Sequence, residues 1–173
     1  MMRAALALAL TSPAAVAAQP SAPAPGLTYV FSVRATLSPP VEQVLVEGKR
    51  RRFIGITGGT VSGPRLQGVV LAGGGDWQAI GSDGCTEIMA RYSLKAADGT
   101  VIAVLNPGLR IASTEVTAKL AAGADVPPDA YYFRTTPSFE VADGPYGWMR
   151  RTLFVARGIR KPDHVVLDFY TID

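Results

Sequence analysis

The chemistry that this chain could carry is concentrated in a few residues. Three glycines run into an acid and a tryptophan in Leu71-Ala72-Gly73-Gly74-Gly75-Asp76-Trp77-Gln78. A phosphate loop needs its glycines followed by Lys and Ser or Thr at a helix N-terminus, where backbone N–H groups face the anion. Here Asp76 follows and would repel phosphate, and Trp77 to Cys85 reads as strand or loop. No strand–helix–strand alternation supports a dinucleotide fold. His164 is the only histidine and Cys85 the only cysteine. No His/Cys/Asp cluster therefore has metal-ligand spacing, and no internal disulfide can form. Gly59 to Gly63 lacks the serine placement and following helix of a nucleophile elbow. Cys85 reads as a small buried or half-buried residue, and His164 as a surface or strand-opening residue. No metal and no cofactor are expected.

What remains is a set of aromatic and charged side chains on alternating segments. In Tyr131 to Glu140, Tyr131, Phe133, Thr135 and Phe139 share one face, and Tyr132, Arg134, Thr136 and Glu140 share the other. Arg91 and Tyr92 take opposite faces of their segment. Asp76, Trp77, Arg91, Tyr132, Arg134, Glu140 and Trp148 are the candidate ligand-lining or gating residues. The aromatic rings would supply stacking area and the arginines charge-paired hydrogen bonds. Asp76 and Glu140 are the candidate catalytic carboxylates, with Tyr131 and Tyr132 as further proton-transfer groups. Alternation alone leaves open which face turns inward.

Strands must position these residues. Leu27 to Leu37 alternates, with Tyr29, Phe31, Val33, Ala35 and Leu37 on one face. Further strands are expected at 52–59, 66–74, 85–99, 100–106, 131–141, 148–158 and 164–172. Asp98-Gly99 between two apolar runs marks a hairpin. The glycine run reads as a sharp bend or bulge closing one strand. One segment breaks the pattern: Ser113 is an N-cap candidate, Val116, Leu120 and Ala121 share a face, Gly123 can stop a helix, and Pro127-Pro128 forbid its return. Eight to ten strands with short links and one helix make an all-β barrel or sandwich.

The 173 residues carry 17 Lys and Arg against 14 Asp and Glu, a net charge of +3. This near balance does not point to nucleic acid. The single basic run, Lys49 to Arg52, reads as a solvated strand entrance. At the N-terminus, Arg3 precedes a short apolar run and a small-residue cleavage site. Residues 1–18 have the build of a signal peptide cleaved after Ala18, which predicts export to the periplasm or beyond. The apolar run is far shorter than the roughly 20 residues of a membrane span. Residues 19–26 are Pro/Ala/Ser-rich and read as a disordered leader. Residues 27–173 fit a single domain by size.

Four segments together carry a resemblance: Gly58 to Gln78, Ala90 to Arg110, Tyr131 to Gly158 and Val165 to Ile172. They resemble the domain-of-unknown-function family 3237, also called uncharacterised protein family 0311. The resemblance implies a lipocalin-like closed antiparallel β-barrel, and it implies no activity. Where relatives read Trp-Leu-Asn, this chain has Trp148-Met149-Arg150, which places a charge at that point.

Two functional readings follow. In the first, an exported barrel holds a small organic molecule in its interior. In the second, a metal-independent isomerase, hydratase or lyase acts on a phenolic or keto compound with Asp76 or Glu140 as base. A carboxylate inside the barrel without an arginine partner would favour the second. Exposed aromatics would also let barrels pack on one another as a homo-oligomer.

Overall fold

The computed structural model describes residues 22–173. The expected signal peptide and residues 19–21 of the leader lie outside the described residues. Residues 22–26 are exposed and carry no regular structure.

Among the described residues eleven strands form one sheet: β1 (Leu27–Leu37), β2 (Val41–Val46), β3 (Lys49–Ser62), β4 (Gly68–Val70), β5 (Gly74–Ile80), β6 (Cys85–Ala96), β7 (Val101–Ile111), β8 (Tyr132–Thr135), β9 (Ser138–Glu140), β10 (Phe154–Arg160) and β11 (His164–Ile172). Eight of them close a barrel in the order β1–β3–β5–β6–β7–β8–β10–β11, every pair antiparallel. β4 extends the β5 position, since it too pairs with β3 and β6, and β9 extends the β8 position along β7. The glycine run is the break between β4 and β5. Gly73 holds a φ of +103°, open to glycine but strained for other residues, and donates its N–H to Ile56 O at 3.2 Å. Gly74 and Gly75 then belong to β5. The matching break between β8 and β9 falls at Thr136-Pro137, where proline cannot donate to a ladder.

Turn chemistry sets the hairpins. Thr100 donates its N–H to Asp98 Oδ1 at 2.9 Å in the β6–β7 turn. Glu47 and Gly48 both have positive φ, 52° and 72°, as a two-residue turn of type I′ requires. That turn folds β2 onto β3. Every residue of β2 is exposed, and its missing alternation is why the sequence did not announce it.

The barrel has a filled half. Phe31 stacks on Phe169 with ring centroids 4.7 Å apart, and Phe139 meets Phe154 edge-on at 4.8 Å. Leu94, Ile102, Val104 and Met149 pack with them. Burying each such side chain stabilises by roughly 1.5–3 kcal/mol, and each aromatic pair adds about 1 kcal/mol. The expected single face of β1 is interrupted here. A bulge between Tyr29 and Phe31 turns Val30 inward and leaves Tyr29 outside, near Ser32 Oγ at 2.9 Å. The expected strand from Trp148 also starts later. Gly147–Arg151 is a 3₁₀ turn against this half, and Trp148 packs between Phe154 and the Arg65 guanidinium, 3.6 Å from the ring centroid.

The helix lies at the other end. α1 (Thr114–Ala121) begins where Ser113 Oγ accepts the Val116 N–H at 3.2 Å. It ends at Gly123 (φ +76°), with Ala124 N–H bonded to Lys119 O and Gly123 N–H to Leu120 O, a Schellman closure. Leu120, 8% exposed, anchors it to the barrel rim.

One close approach shapes the open half. A Cβ on Gly158 would lie 2.4 Å from the Phe133 ring, so glycine lets that ring lie against β10. Gly158→Ala is expected to overpack this point and destabilise the fold by about 1–3 kcal/mol, measured as a shift in the urea midpoint.

Candidate functional site

At the helix end the inward residues become small or polar. Ala35 and Ala90 line the space, and the side chains around them enclose a cavity of about 40 Å³ as traced by the centre of a water-sized sphere. That is room for a few waters or a small polar group. Its wall is largely apolar, with Ile54, Ile56, Ile88, Phe133, Val165 and Leu167. A second space, about 110 Å³ by the same measure, lies under α1 between Thr117, Leu120 and the barrel rim. Ile54, Arg110 and Arg160 line both spaces and form the partition between them.

Each polar residue arrives in phase with an apolar face. On β7, Ile102, Val104, Asn106 and Arg110 alternate inward. On β6, Tyr92 follows Ile88 and Ala90. Asp76 and Gln78 precede Ile80 on β5, and Arg52 precedes Ile54 on β3. Thr135 follows Phe133 on β8, and Arg160 follows Ala156 and Gly158 on β10. Register sets their depth. Ala90 faces Asp76 on one side and Asn106 on the other, while Arg110 sits opposite Thr86 near the rim. Tyr92 is deeper, level with Val104.

Four buried side-chain atoms in this cavity find no partner among the described residues: Asp76 Oδ1, Tyr92 OH, Asn106 Oδ1 and Thr135 Oγ1. Leaving such a group unpaired costs roughly 1–3 kcal/mol each. One hydrogen-bonded chain runs between rim and cavity. Arg52 Nε and Nη2 donate to Gln78 Oε1 at 3.2 and 2.7 Å, and Gln78 Nε2 donates to Asp76 Oδ2 at 2.5 Å. Among the described residues no basic group lies within salt-bridge distance of Asp76. Burial pushes its carboxyl above the usual range, opposed first by the Gln78 hydrogen bond, then by the Met89 backbone, and more weakly by Arg110 and Arg52. Burial raises the Tyr92 phenol as well, opposed by the neighbouring Asn106 side chain, which lies close but outside good hydrogen-bond geometry. It pulls Arg110 down to about 10, so this guanidinium stays charged at neutral pH.

Of the residues singled out by sequence, only Asp76 lines the cavity. Trp77 is 46% exposed on the outer surface, tilted against Phe53 at 5.0 Å. It sits in an outer row in which Val41, Phe53, Trp77, Met89 and Pro107 are successive strand partners. Arg91 and Glu140 border a surface groove over β7, and Tyr132 and Arg134 another beside β8. The Arg134 guanidinium lies 5.3 Å from the Tyr132 ring. Trp148 is at the filled end. The face of Tyr131 to Glu140 that turns inward is thus the apolar one. The basic run is also corrected: Lys49 pairs with Glu87 and Arg50 with Glu42, yet Arg52 turns in to Gln78, with its side chain 11% exposed. Cys85 is free and half-buried at the start of β6. His164 opens β11, with Nδ1 2.6 Å from Asp163 Oδ1. Among the described residues there is no group of three His, Cys, Asp or Glu that could hold a metal, and no helix long and apolar enough to cross a membrane.

An eight-stranded antiparallel barrel, filled at one end and hollow at the other, defines the lipocalin-like class of folds. Within that class, the chain belongs to the family described as "Protein of unknown function (DUF3237)", whose model matches residues 25–172. It is 41% identical over 145 residues to a UPF0311 protein of Clostridium acetobutylicum, covering 83% of this chain and 91% of that one. A crystal structure of a conserved protein of unknown function from Rhodopseudomonas palustris shares the fold with a TM-score of 0.85 at 35% identity, covering 88% of this chain and all of that one. A β-barrel like protein from Acinetobacter baumannii matches with a TM-score of 0.76 at 36% identity over 90% of this chain and all of that one.

The Asp76 environment has a measurable consequence. Its folded pKa lies above the unfolded value, so the folded state binds the proton more tightly. Stability therefore falls as pH rises from about 4 through the folded pKa, and the penalty persists above it. Asp76→Asn is expected to be more stable than the parent at neutral pH, with the difference shrinking as pH falls toward about 4. Urea denaturation across that range checks the sign, and a variant less stable at neutral pH would contradict it.

Proposed function

We propose that the protein takes a small organic molecule into the hollow half of its barrel. The supporting observation is the convergence of four unpartnered buried polar atoms on one apolar-walled cavity. Polar groups buried at a cost of this size are commonly paired, and here their shared direction is inward. Tyr92 and Thr135 can donate and accept, Asn106 can do both, and Asp76 accepts when ionised. Together they suit a body bearing hydroxyl or carbonyl oxygens. Native mass spectrometry after incubation with metabolite extract tests the reading. A retained small molecule is expected, and Tyr92→Phe combined with Thr135→Val is expected to lose it. Each of those substitutions should leave folding stability unchanged or raise it by up to about 1–3 kcal/mol, because each removes an unpaired group. Loss of the molecule without loss of fold separates a site from a structural core. If no molecule is retained by the parent protein, the reading fails.

One observation favours a second reading, in which the bound molecule is isomerised, hydrated or cleaved. Asp76 has a raised pKa, no basic partner at salt-bridge distance and one unpartnered oxygen facing the cavity. A base that works at neutral pH needs such a setting. With a molecule identified by the first experiment, Asp76→Asn is expected to keep binding and to slow any turnover by about a hundredfold or more. Turnover unchanged in that variant would leave binding alone as the function.

A further inference from the structure

The arginines at the mouth define the ligand more narrowly. Arg50, Arg52, Arg110 and Arg160 line the space under α1, and no acidic side chain does. Three of them have partners. Arg50 pairs with Glu42, with Nε 3.5 Å from Oε2. Arg52 is held by Gln78 and lies 3.8 Å from Glu42. Arg160 Nη1 donates to the carbonyls of Lys161 and His164 at 2.5 and 3.1 Å. Arg110 differs. It is 7% exposed and makes no salt bridge among the described residues, and its nitrogens are not among the sealed, partnerless atoms, so they reach the open space they line. It also lines both the cavity and the outer space. A largely buried guanidinium without a carboxylate partner is costly to hold in its charged form. Its planar donors match a carboxylate bidentately. The positive charge of Arg52 and Arg160 nearby adds to the field felt at that point.

We infer that the ligand is a small organic carboxylate whose anionic end is held by Arg110 at the partition and whose body points inward toward Asn106, Thr135 and Tyr92. This rests on the reading that the barrel interior binds a small molecule. Asn106 and Arg110 stand four positions apart on β7, about 13 Å between their backbones, and both side chains reach the same cavity, one offering charge and the other an amide to an oxygen-bearing body. The mostly apolar wall between them suits an organic acid, and inorganic phosphate would leave that wall unused.

The test uses the full chain and a set of monocarboxylates from acetate to benzoate, each with its neutral amide, and inorganic phosphate. Affinities are measured by NMR titration, reading amide shifts of cavity residues. At least one acid is expected to bind at least about tenfold more tightly than its amide. Arg110→Met is expected to remove that difference and leave the amide's affinity unchanged, whereas Thr135→Val weakens acid and amide together. Arg110→Met should fold, because it replaces an unpaired buried charge with an apolar chain, and Arg110→Lys should retain part of the acid preference. Acid and amide bound equally, or an acid preference that survives Arg110→Met, overturns the carboxylate assignment while interior binding stands. Phosphate bound more tightly than every acid overturns it too. Absence of cavity shifts with every probe overturns both readings.

Discussion

A closed barrel has a single interior, and every strand must send residues of one parity into it. Closure makes this constraint collective. A one-residue slip in any strand would turn its whole inward set outward. Here the parity is fixed by apolar residues in the filled half, where Phe31, Phe139, Phe154 and Phe169 meet. The polar residues of the hollow half have no comparable packing to hold them in register. They are carried into the cavity because they share a strand and a parity with that core. Asn106 and Arg110 face inward because Ile102 and Val104 do. The site is therefore a consequence of the core at the far end of the same strands.

Parity also explains what could be read from the sequence. The barrel, the Asp98-Gly99 hairpin, the helix start at Ser113 and its stop at Gly123 each rest on a local signal that the structure keeps. β2 had none, and Trp148 sits in a 3₁₀ turn where strand composition was misleading. The candidate residues were chosen for their chemistry, which favoured charged and aromatic positions such as Trp77, Arg91, Tyr132, Arg134 and Glu140. These alternate out of phase with the apolar face and lie outside the cavity. The signal for the cavity residues was available in the opposite form, as polar residues in phase with an apolar run: Arg52 with Ile54, Tyr92 with Ala90, Asn106 with Val104, Thr135 with Phe133. Asp76 was found because the glycine run drew attention to it. Arg160 needed the strand's true boundaries, since β10 begins at Phe154 and ends on that arginine.

The electrostatic character of the mouth depends on how few acids oppose the arginines there. Asp76 is the one carboxylate that lines the cavity, and burial favours its neutral form. Arg110 is lowered only to about 10 and keeps its charge. The two groups respond oppositely in consequence although both are buried. A carboxyl starts near pH 4 and has room to be shifted toward neutrality, while a guanidinium starts so high that the same penalty leaves it ionised. The mouth remains a positive region over an interior whose burial disfavours the charged form of its own acid.

The stacked phenylalanines have a consequence for traffic. They fill one end of the barrel, so among the described residues the interior is a well that opens beneath α1. If the interior binds as proposed, whatever enters would leave by the same route, in reverse. A molecule long enough to touch both Tyr92 and the rim cannot turn round inside a tube of this width. The orientation chosen at the rim is then the orientation kept throughout residence, and changing it requires complete departure. On that reading, selection between the two ends of a ligand would be made once, at the threshold, before the deeper groups are reached.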